Sequence, residues 1–341
     1  MAVVWLIEVG AIFFLAAVAI SFFLLLWLKP LLRRYALARP NARSSHKSPT
    51  PQGGGIAVVA ATTITLAAGL FICPLETDAA RLATMSASVI ALAIVGIADD
   101  IRPIAPLPRL ILQAAAIALV LVALPPDLRA AGFLPWWIER VLIFGALLWF
   151  VNLVNFMDGI DWMSVAEVVP VTAALALFGL MGVLPLDAAL LSICLCGATI
   201  GFAPFNRPVA QVFLGDVGSL PIGLLLGWAL IQLAGNGYLA AAILLPLYYL
   251  ADTTITLSRR LVSGAPVMDA HRSHFYQRAL DGGFTVYQIV GWVFGTNVVL
   301  AALAIATYSN RSSIFQLAML VAGCAVVGVP LWTFSRAGLK R

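Results

Sequence analysis

Eleven long apolar stretches, separated by short polar connections, constrain this chain more than any other feature of its sequence. They run approximately over residues 3–28, 55–74, 82–98, 109–125, 138–153, 165–183, 186–204, 217–234, 238–257, 285–308 and 313–334. A helix of about 20 apolar residues spans the hydrocarbon core of a bilayer. Charged residues make up only 10% of the chain, against about 25% in soluble domains. The pattern predicts an all-α polytopic membrane protein of about eleven spans, with residues 1–341 in one transmembrane domain.

The distribution of lysine and arginine predicts the orientation of these spans. If the amino terminus is periplasmic, 16 of the 20 basic residues fall in cytoplasmic connections or in a cytoplasmic tail, as the positive-inside rule requires. The net charge of +5 therefore has a topological explanation and does not indicate nucleic-acid binding. The four cysteines lie in or beside apolar stretches and are interpreted as small buried hydrophobes. We expect a multi-pass protein of the bacterial inner membrane with its polar clusters on the cytoplasmic face.

Carboxylates are predicted at the cytoplasmic ends of two of the helices. Asp99 and Asp100 end the third apolar stretch, where they repel each other and the helix dipole. Asp216 stands between two glycines just before the eighth stretch. Mg²⁺ prefers one or two carboxylates together with phosphate oxygens and water. The three acids are candidate metal ligands, and the alternatives are a solvated helix end and an ordinary turn.

Residues 152–161 place two amides and two carboxylates between two apolar stretches. Asn155, Asp158 and Asp161 are spaced i, i+3, i+6, which puts them loosely on one side if the segment is helical. A polar rim of this kind suits a charged substrate at the membrane surface, for which Asn152, Asn155 and Asp158 are candidate residues. An Asn/Asp/Gly turn between two helices is the alternative.

Cationic residues cluster in the longest predicted cytoplasmic loop. His271, His274 and Arg278 are spaced i, i+3, i+7, which predicts one stripe of a helix, and Arg272 lies between them. Such a stripe suits a pyrophosphate, although a basic helix that binds anionic lipid has the same composition. His271 and His274 are candidate catalytic residues, and Arg272 and Arg278 are candidate substrate ligands.

Two further features are weaker signals. His46 and Lys47 lie in a Pro- and Gly-rich loop before the second apolar stretch and offer cations to a phosphate. Asp252, inside the ninth stretch, is expected to pair with Arg259 or Arg260, because an intramembrane acid needs a partner.

In this order the clusters resemble the polyprenyl-phosphate N-acetylhexosamine-1-phosphate transferases, the WecA- and MraY-like membrane enzymes of glycosyltransferase family 4. The matching stretches are 45–55, 99–100, 109–113, 152–161, 213–220, 252–260 and 271–278. They cover nearly the whole chain and occur at every predicted cytoplasmic connection. No single motif is decisive, but seven in the same order are specific.

The resemblance implies that the phosphate of undecaprenyl phosphate attacks the β-phosphate of a UDP-amino sugar, so that UMP leaves and a lipid-diphosphate-sugar remains. It also implies the role of each site residue: Asp99 and Asp100 handle the lipid phosphate, with Asp99 as the candidate base; Asp216 holds Mg²⁺, with Mn²⁺ as the alternative; Asn155 and Asp158 shape the nucleotide and metal site; His271 and His274 hold the diphosphate; His46, Lys47, Arg109, Asn152, Arg272 and Arg278 bind substrate. A homodimer is implied as well.

The spacing of the histidines favours one branch of the family. The peptidoglycan branch carries three adjacent histidines in the last large cytoplasmic loop, whereas this chain has His-x-x-His. The resemblance therefore implies a WecA-like enzyme that starts O-antigen or lipopolysaccharide synthesis. A phospho-N-acetylmuramoyl-pentapeptide transferase is the alternative. A membrane transporter and a non-catalytic scaffold with charged loops are further alternatives of another class.

Overall fold

The structure, a computed structural model, describes residues 2–38, 49–72, 78–266 and 271–337. Within these ranges about three quarters of the residues are helical. The helices are α1 (Ala2–Tyr35), α2 (Gly55–Ile72), α3 (Ala79–Ile101), α4 (Pro106–Ala123), α5 (Trp136–Met157), α6 (Met163–Leu180), α7 (Leu186–Phe202), α8 (Asp216–Gly235), α9 (Leu239–Leu244), α10 (Leu247–Val262), α11 (Phe275–Asp281), α12 (Val286–Ala306) and α13 (Ser313–Arg336). The all-α membrane class predicted from the sequence is confirmed.

Nine helices of the described ranges are long and apolar enough to cross a bilayer. Helix α7 is apolar but has 17 residues. The ninth predicted stretch is not one continuous span, because it is divided into α9 and α10 around Pro246, whose ring has no N–H to donate to a preceding turn. Each predicted apolar stretch thus corresponds to helix, and the count of eleven spans and their orientation stay predictions.

Helix α8 lies at the centre of the bundle. Among the nine candidate spans of the described ranges, α8 is the most buried, with 94% of its apolar stretch inside the bundle. It is surrounded by α2, α3 and α5, and its side chains from Val217 to Leu230 are buried without interruption. The amino-terminal end of α8, which begins at Asp216, therefore emerges in the middle of one end of the bundle.

Two glycine contacts set how closely helices approach that point. A Cβ on Gly55 would lie 2.1 Å from the Cα atom of Gly218, and a Cβ on Gly96 would lie 2.4 Å from the backbone of Asp216. Helix interfaces in membranes use small residues for such close backbone approach. Gly96 is one turn before Asp99 and Asp100, so this contact brings the end of α3 against the start of α8.

A small ladder closes the same end of the bundle. Strands β1 (Leu37–Ala38) and β2 (Thr50–Pro51) pair antiparallel, with Leu37 opposite Pro51. Gln52 then forms a parallel bridge with Phe213. The chain after α1 is thereby tied to the segment that enters α8.

Candidate active site

The predicted carboxylates converge where α3 ends, α8 begins and α4 begins. Arg109, in the first turns of α4, donates from one guanidinium nitrogen to Asp99 at 2.9 Å and to Asp216 at 3.4 Å. Asp99 also accepts the backbone N–H of Ile104 at 2.6 Å. The arginine, which the sequence suggested as a phosphate ligand, thus lies between two of the proposed metal ligands.

Asp100 has a different environment from its neighbour. Its two carboxylate oxygens accept the backbone N–H groups of Asp216 at 3.0 Å and Val217 at 3.2 Å. These are the first amides of α8, which have no partner within their own helix and favour a negative charge. The repulsion expected at the end of α3 is therefore offset in part by the start of α8.

Asn155 links this cluster to α5. Its side-chain amide donates to Asp216 at 2.8 Å and to the hydroxyl of Ser219 at 2.9 Å. Asn152, one turn earlier, instead donates to Gln113 on α4 at 2.8 Å and to the backbone of Leu148. The structure brings Asn155 to the carboxylates, whereas the amide of Asn152 holds α5 against α4.

Residues 155–161 do not form one helical face, and the turn given as the alternative begins where α5 ends. Helix α5 ends at Met157, and Asp158 is its carboxyl-terminal cap. Burial, together with the charges of Asp100 and Asp161, raises the pKa of Asp158 to about 7, and a hydrogen bond from Ser164 opposes part of the rise. Asp161 accepts the backbone N–H of Ala210 at 3.0 Å, so it fixes the loop before α8.

The histidines lie beside this segment but not as the predicted stripe. Residues 271–273 are not helical, and His274 is the N-cap of α11. The rings of His271 and His274 stack with centroids 5.0 Å apart. His274 is 2% exposed, while His271 is partly exposed. A helix beginning at Phe275 cannot place both histidines on one helical face, although it does bring them together.

Tyr276 joins the histidine segment to the carboxylate side. Its hydroxyl donates to the backbone oxygen of Phe156 at 3.1 Å, and a Cβ on Gly159 would lie 2.1 Å from the same hydroxyl. Burial, together with the charges of Asp252 and Asp158, raises the pKa of Tyr276, so it stays a neutral donor. Residues 155–159 therefore touch Asp216 on one side and α11 on the other.

The remaining predicted ligands have other locations. Arg272 pairs with Asp281 at 2.9 Å on the surface, and Arg278 is exposed on α11. His46 and Lys47 lie outside the described residues.

The predicted partner of Asp252 is wrong. Its carboxylate accepts from His274 Nδ1 at 3.2 Å, whereas Arg259 stacks over the ring of Phe275 and Arg260 donates to the backbone of Pro266. The sequence identified the buried acid but could not identify its partner, because α11 folds back against α10 from 22 residues away.

Comparison with known proteins places these observations in a family. A model described as glycosyl transferase family 4 matches residues 82–234, from α3 to α8. A phospho-N-acetylmuramoyl-pentapeptide-transferase of Picosynechococcus is 30% identical over 82% of this chain and 81% of its own length. A decaprenyl-phosphate N-acetylglucosaminephosphotransferase of Mycolicibacterium smegmatis is 29% identical, over 79% and 75% respectively. A probable undecaprenyl-phosphate N-acetylglucosaminyl 1-phosphate transferase of Bacillus subtilis is 24% identical, over 83% and 84%.

These matches confirm the resemblance drawn from the motifs, and they include both branches of the family. The matched region contains the carboxyl-terminal ends of α3 and α5 and the start of α8, where the carboxylate cluster forms. The chain is a multi-pass membrane enzyme that belongs to glycosyl transferase family 4.

Proposed function

We propose that the protein transfers a sugar 1-phosphate of the N-acetylhexosamine type from a UDP-sugar to undecaprenyl phosphate. UMP is released, and the lipid-diphosphate-sugar stays in the membrane. The observation that carries this proposal is the Asp99–Arg109–Asp216 arrangement, next to Asp100, at one end of a membrane-spanning bundle. The names of the relatives, which describe transfer of an amino-sugar phosphate to a polyprenyl phosphate, support it.

The chemistry requires little more than positioned charge. An oxygen of the lipid phosphate bonds to the sugar-bearing phosphorus, and the bond from that phosphorus to the bridging oxygen breaks, so UMP leaves with the electron pair. Such phosphoryl transfers depend on alignment and on neutralising phosphate charge. Asp99 is the candidate base for any proton left on the lipid phosphate, whose second pKa is about 6. Arg109 supplies a cation beside it.

Mg²⁺ is the proposed cofactor, with Mn²⁺ as the alternative. Asp99 and Asp216 fit this role because their oxygens already contact one positively charged nitrogen. Within the ranges described, no group of three or more His, Cys, Asp and Glu side chains converges as a metal site. Two carboxylates suffice for Mg²⁺, which commonly takes its other ligands from phosphate oxygens and water. Bound there, the ion would neutralise charge on the diphosphate.

The other residues would position these groups. Asp100 holds the start of α8 through two amides, so we assign the metal to Asp99 and Asp216. Asn155 orients Asp216. We assign the diphosphate and nucleotide to the side of the site formed by Asp158 and the histidines. The site is proposed to lie on the cytoplasmic face of the inner membrane, which the distribution of basic residues in the sequence supports.

The test is turnover by the purified protein in lipid nanodiscs. Undecaprenyl phosphate, Mg²⁺ and a panel of UDP-amino sugars are supplied, UMP release is followed, and the lipid product is identified by mass.

In the same assay, Asp216→Asn should cost several kcal/mol of transition-state stabilisation. Asp127→Asn is the matched control, because Asp127 is exposed at the opposite end of the bundle. Absence of UMP release with every donor would refute the proposal.

A second substrate is favoured by one comparison. The relative with 30% identity is named as a phospho-N-acetylmuramoyl-pentapeptide-transferase, which makes the pentapeptide-linked donor the alternative. The His-x-x-His spacing argues for the simpler amino sugar and a role in starting O-antigen-type glycans. Including UDP-N-acetylmuramoyl-pentapeptide in the panel separates the two, since the proposal requires its kcat/KM to be lower than that of a UDP-N-acetylhexosamine.

A further inference from the structure

Asp252 is the most completely surrounded carboxylate near the site. It is 0% exposed, and donors reach it from its own helix and from α11. They are the side chains of Tyr248 at 3.2 Å and Thr256 at 3.4 Å, the ring of His274 at 3.2 Å, and the backbone N–H groups of Phe275 at 3.1 Å and Tyr276 at 3.3 Å. A buried carboxylate with this many partners fixes the groups that contact it.

The two histidines differ in depth in a way that the sequence did not suggest. Asp252 is fully buried, His274 is 2% exposed, and His271 is partly exposed. The His274 ring stacks on the ring of Tyr276, with centroids 5.8 Å apart, and on the ring of His271, with centroids 5.0 Å apart. The Nδ1 atom of His271 lies 2.9 Å from the hydroxyl of Ser273. The order from core to surface is therefore carboxylate, buried ring, outer ring.

We propose that His271 is the histidine that contacts the diphosphate of the nucleotide-sugar, and that His274 and Asp252 are positioning residues beneath it. Asp252 accepts a hydrogen bond from the Nδ1–H group of His274, which fixes the tautomer and the plane of that ring. The fixed ring is the surface on which His271 stacks. This assignment rests on the proposed function and divides between two residues a role that the motif gave to both.

The first experiment reads the rings directly, without turnover. The chain has only three histidines, so ¹⁵N-histidine labelling gives three pairs of ring signals, assigned with His46→Gln and His271→Gln. His274 should carry its proton on Nδ1, and adding UMP or a UDP-sugar with Mg²⁺ should shift the His271 signals more than those of His274. A bare Nδ1 on His274, or a ligand shift confined to His274, contradicts the proposal.

The second experiment uses kinetics in the transferase assay. Asp252→Asn should lower kcat/KM for the UDP-sugar by ~10–100-fold, by analogy with the carboxylate partners that orient metal-binding histidines, through a higher KM for the nucleotide-sugar. In a His271→Ala background the same change should cost less than ~3-fold, because the residue through which it acts is gone. Tyr248→Phe is the control, since it removes a hydrogen bond to Asp252 but leaves the contact with His274.

The outcomes are separable. Equal losses from Asp252→Asn in both backgrounds indicate a general structural role and overturn the proposal. Should Asp252→Asn fail to fold, the ring signals of the unaltered protein still decide. If wild-type protein releases no UMP with any donor, the proposed function fails, while the Nδ1 proton of His274 still tests the buried pair.

Discussion

Replacing Arg109 by glutamine tests whether its positive charge stabilises the carboxylates of Asp99 and Asp216. The arginine nitrogen is 2.9 Å from Asp99 and 3.4 Å from Asp216, and a fully ionised pair at such a distance attracts by about 5 kcal/mol at an effective dielectric constant of about 20. Desolvation offsets most of this, and removing one partner of a buried pair costs about 3–5 kcal/mol. The three side chains are 11–24% exposed, so screening reduces the expected loss to ~2–3 kcal/mol.

The assay is thermal unfolding in nanodiscs, with EDTA and with Mg²⁺. In EDTA, Arg109→Gln should melt several degrees below the wild type, because the carboxylates of Asp99 and Asp216 lose the cation between them. Mg²⁺ should raise the melting temperature of the variant more than that of the wild type, since a divalent ion replaces the missing charge.

The matched control is Arg272→Gln. Arg272 also pairs with an aspartate at 2.9 Å, but that partner, Asp281, is 54% exposed, and exposed pairs contribute about 0–1 kcal/mol. The control should melt close to the wild type and respond to Mg²⁺ as the wild type does. If both arginine variants behave alike, or if Mg²⁺ shifts wild type and Arg109→Gln equally, the carboxylates do not form a cation-dependent cluster.

Two other substitutions test the site, one directly after α5 and one at the contact between α3 and α8. In EDTA, the raised pKa of Asp158, about 7 against an ordinary 3.8, predicts that its contribution to stability falls as the pH rises from about 4 to about 7, because this carboxyl ionises first in the unfolded chain. Asp158→Asn should flatten this dependence in melting curves measured at pH 5 and pH 8, and an unchanged slope would contradict the burial argument. Gly96→Ala should cost ~1–3 kcal/mol by overpacking and lower turnover, because its Cβ would lie 2.4 Å from the backbone of Asp216. Gly145→Ala, with nothing within 4 Å of its Cβ, should be neutral in both assays.

The sequence predicted the helical membrane class because each span in a bilayer must satisfy its own backbone hydrogen bonds. That requirement is local, so it can be read from about 20 residues at a time. The family followed in the same way, from short motifs such as Asp99–Asp100 and residues 152–161, and the comparisons confirmed it. The division of the ninth stretch at Pro246 was also a local signal, but the apolar run concealed it.

The tertiary structure decided which polar groups touch. Asp99 and Asp100 are neighbours in sequence, yet one faces Arg109 and the other faces the first amides of α8. Asp252 meets His274 rather than the arginines along its own helix, because the start of α11 packs back against α10. Spacing along a chain specifies faces of one helix only. The partner of a buried charge depends on where other helices end, and only their packing around α8 fixes that.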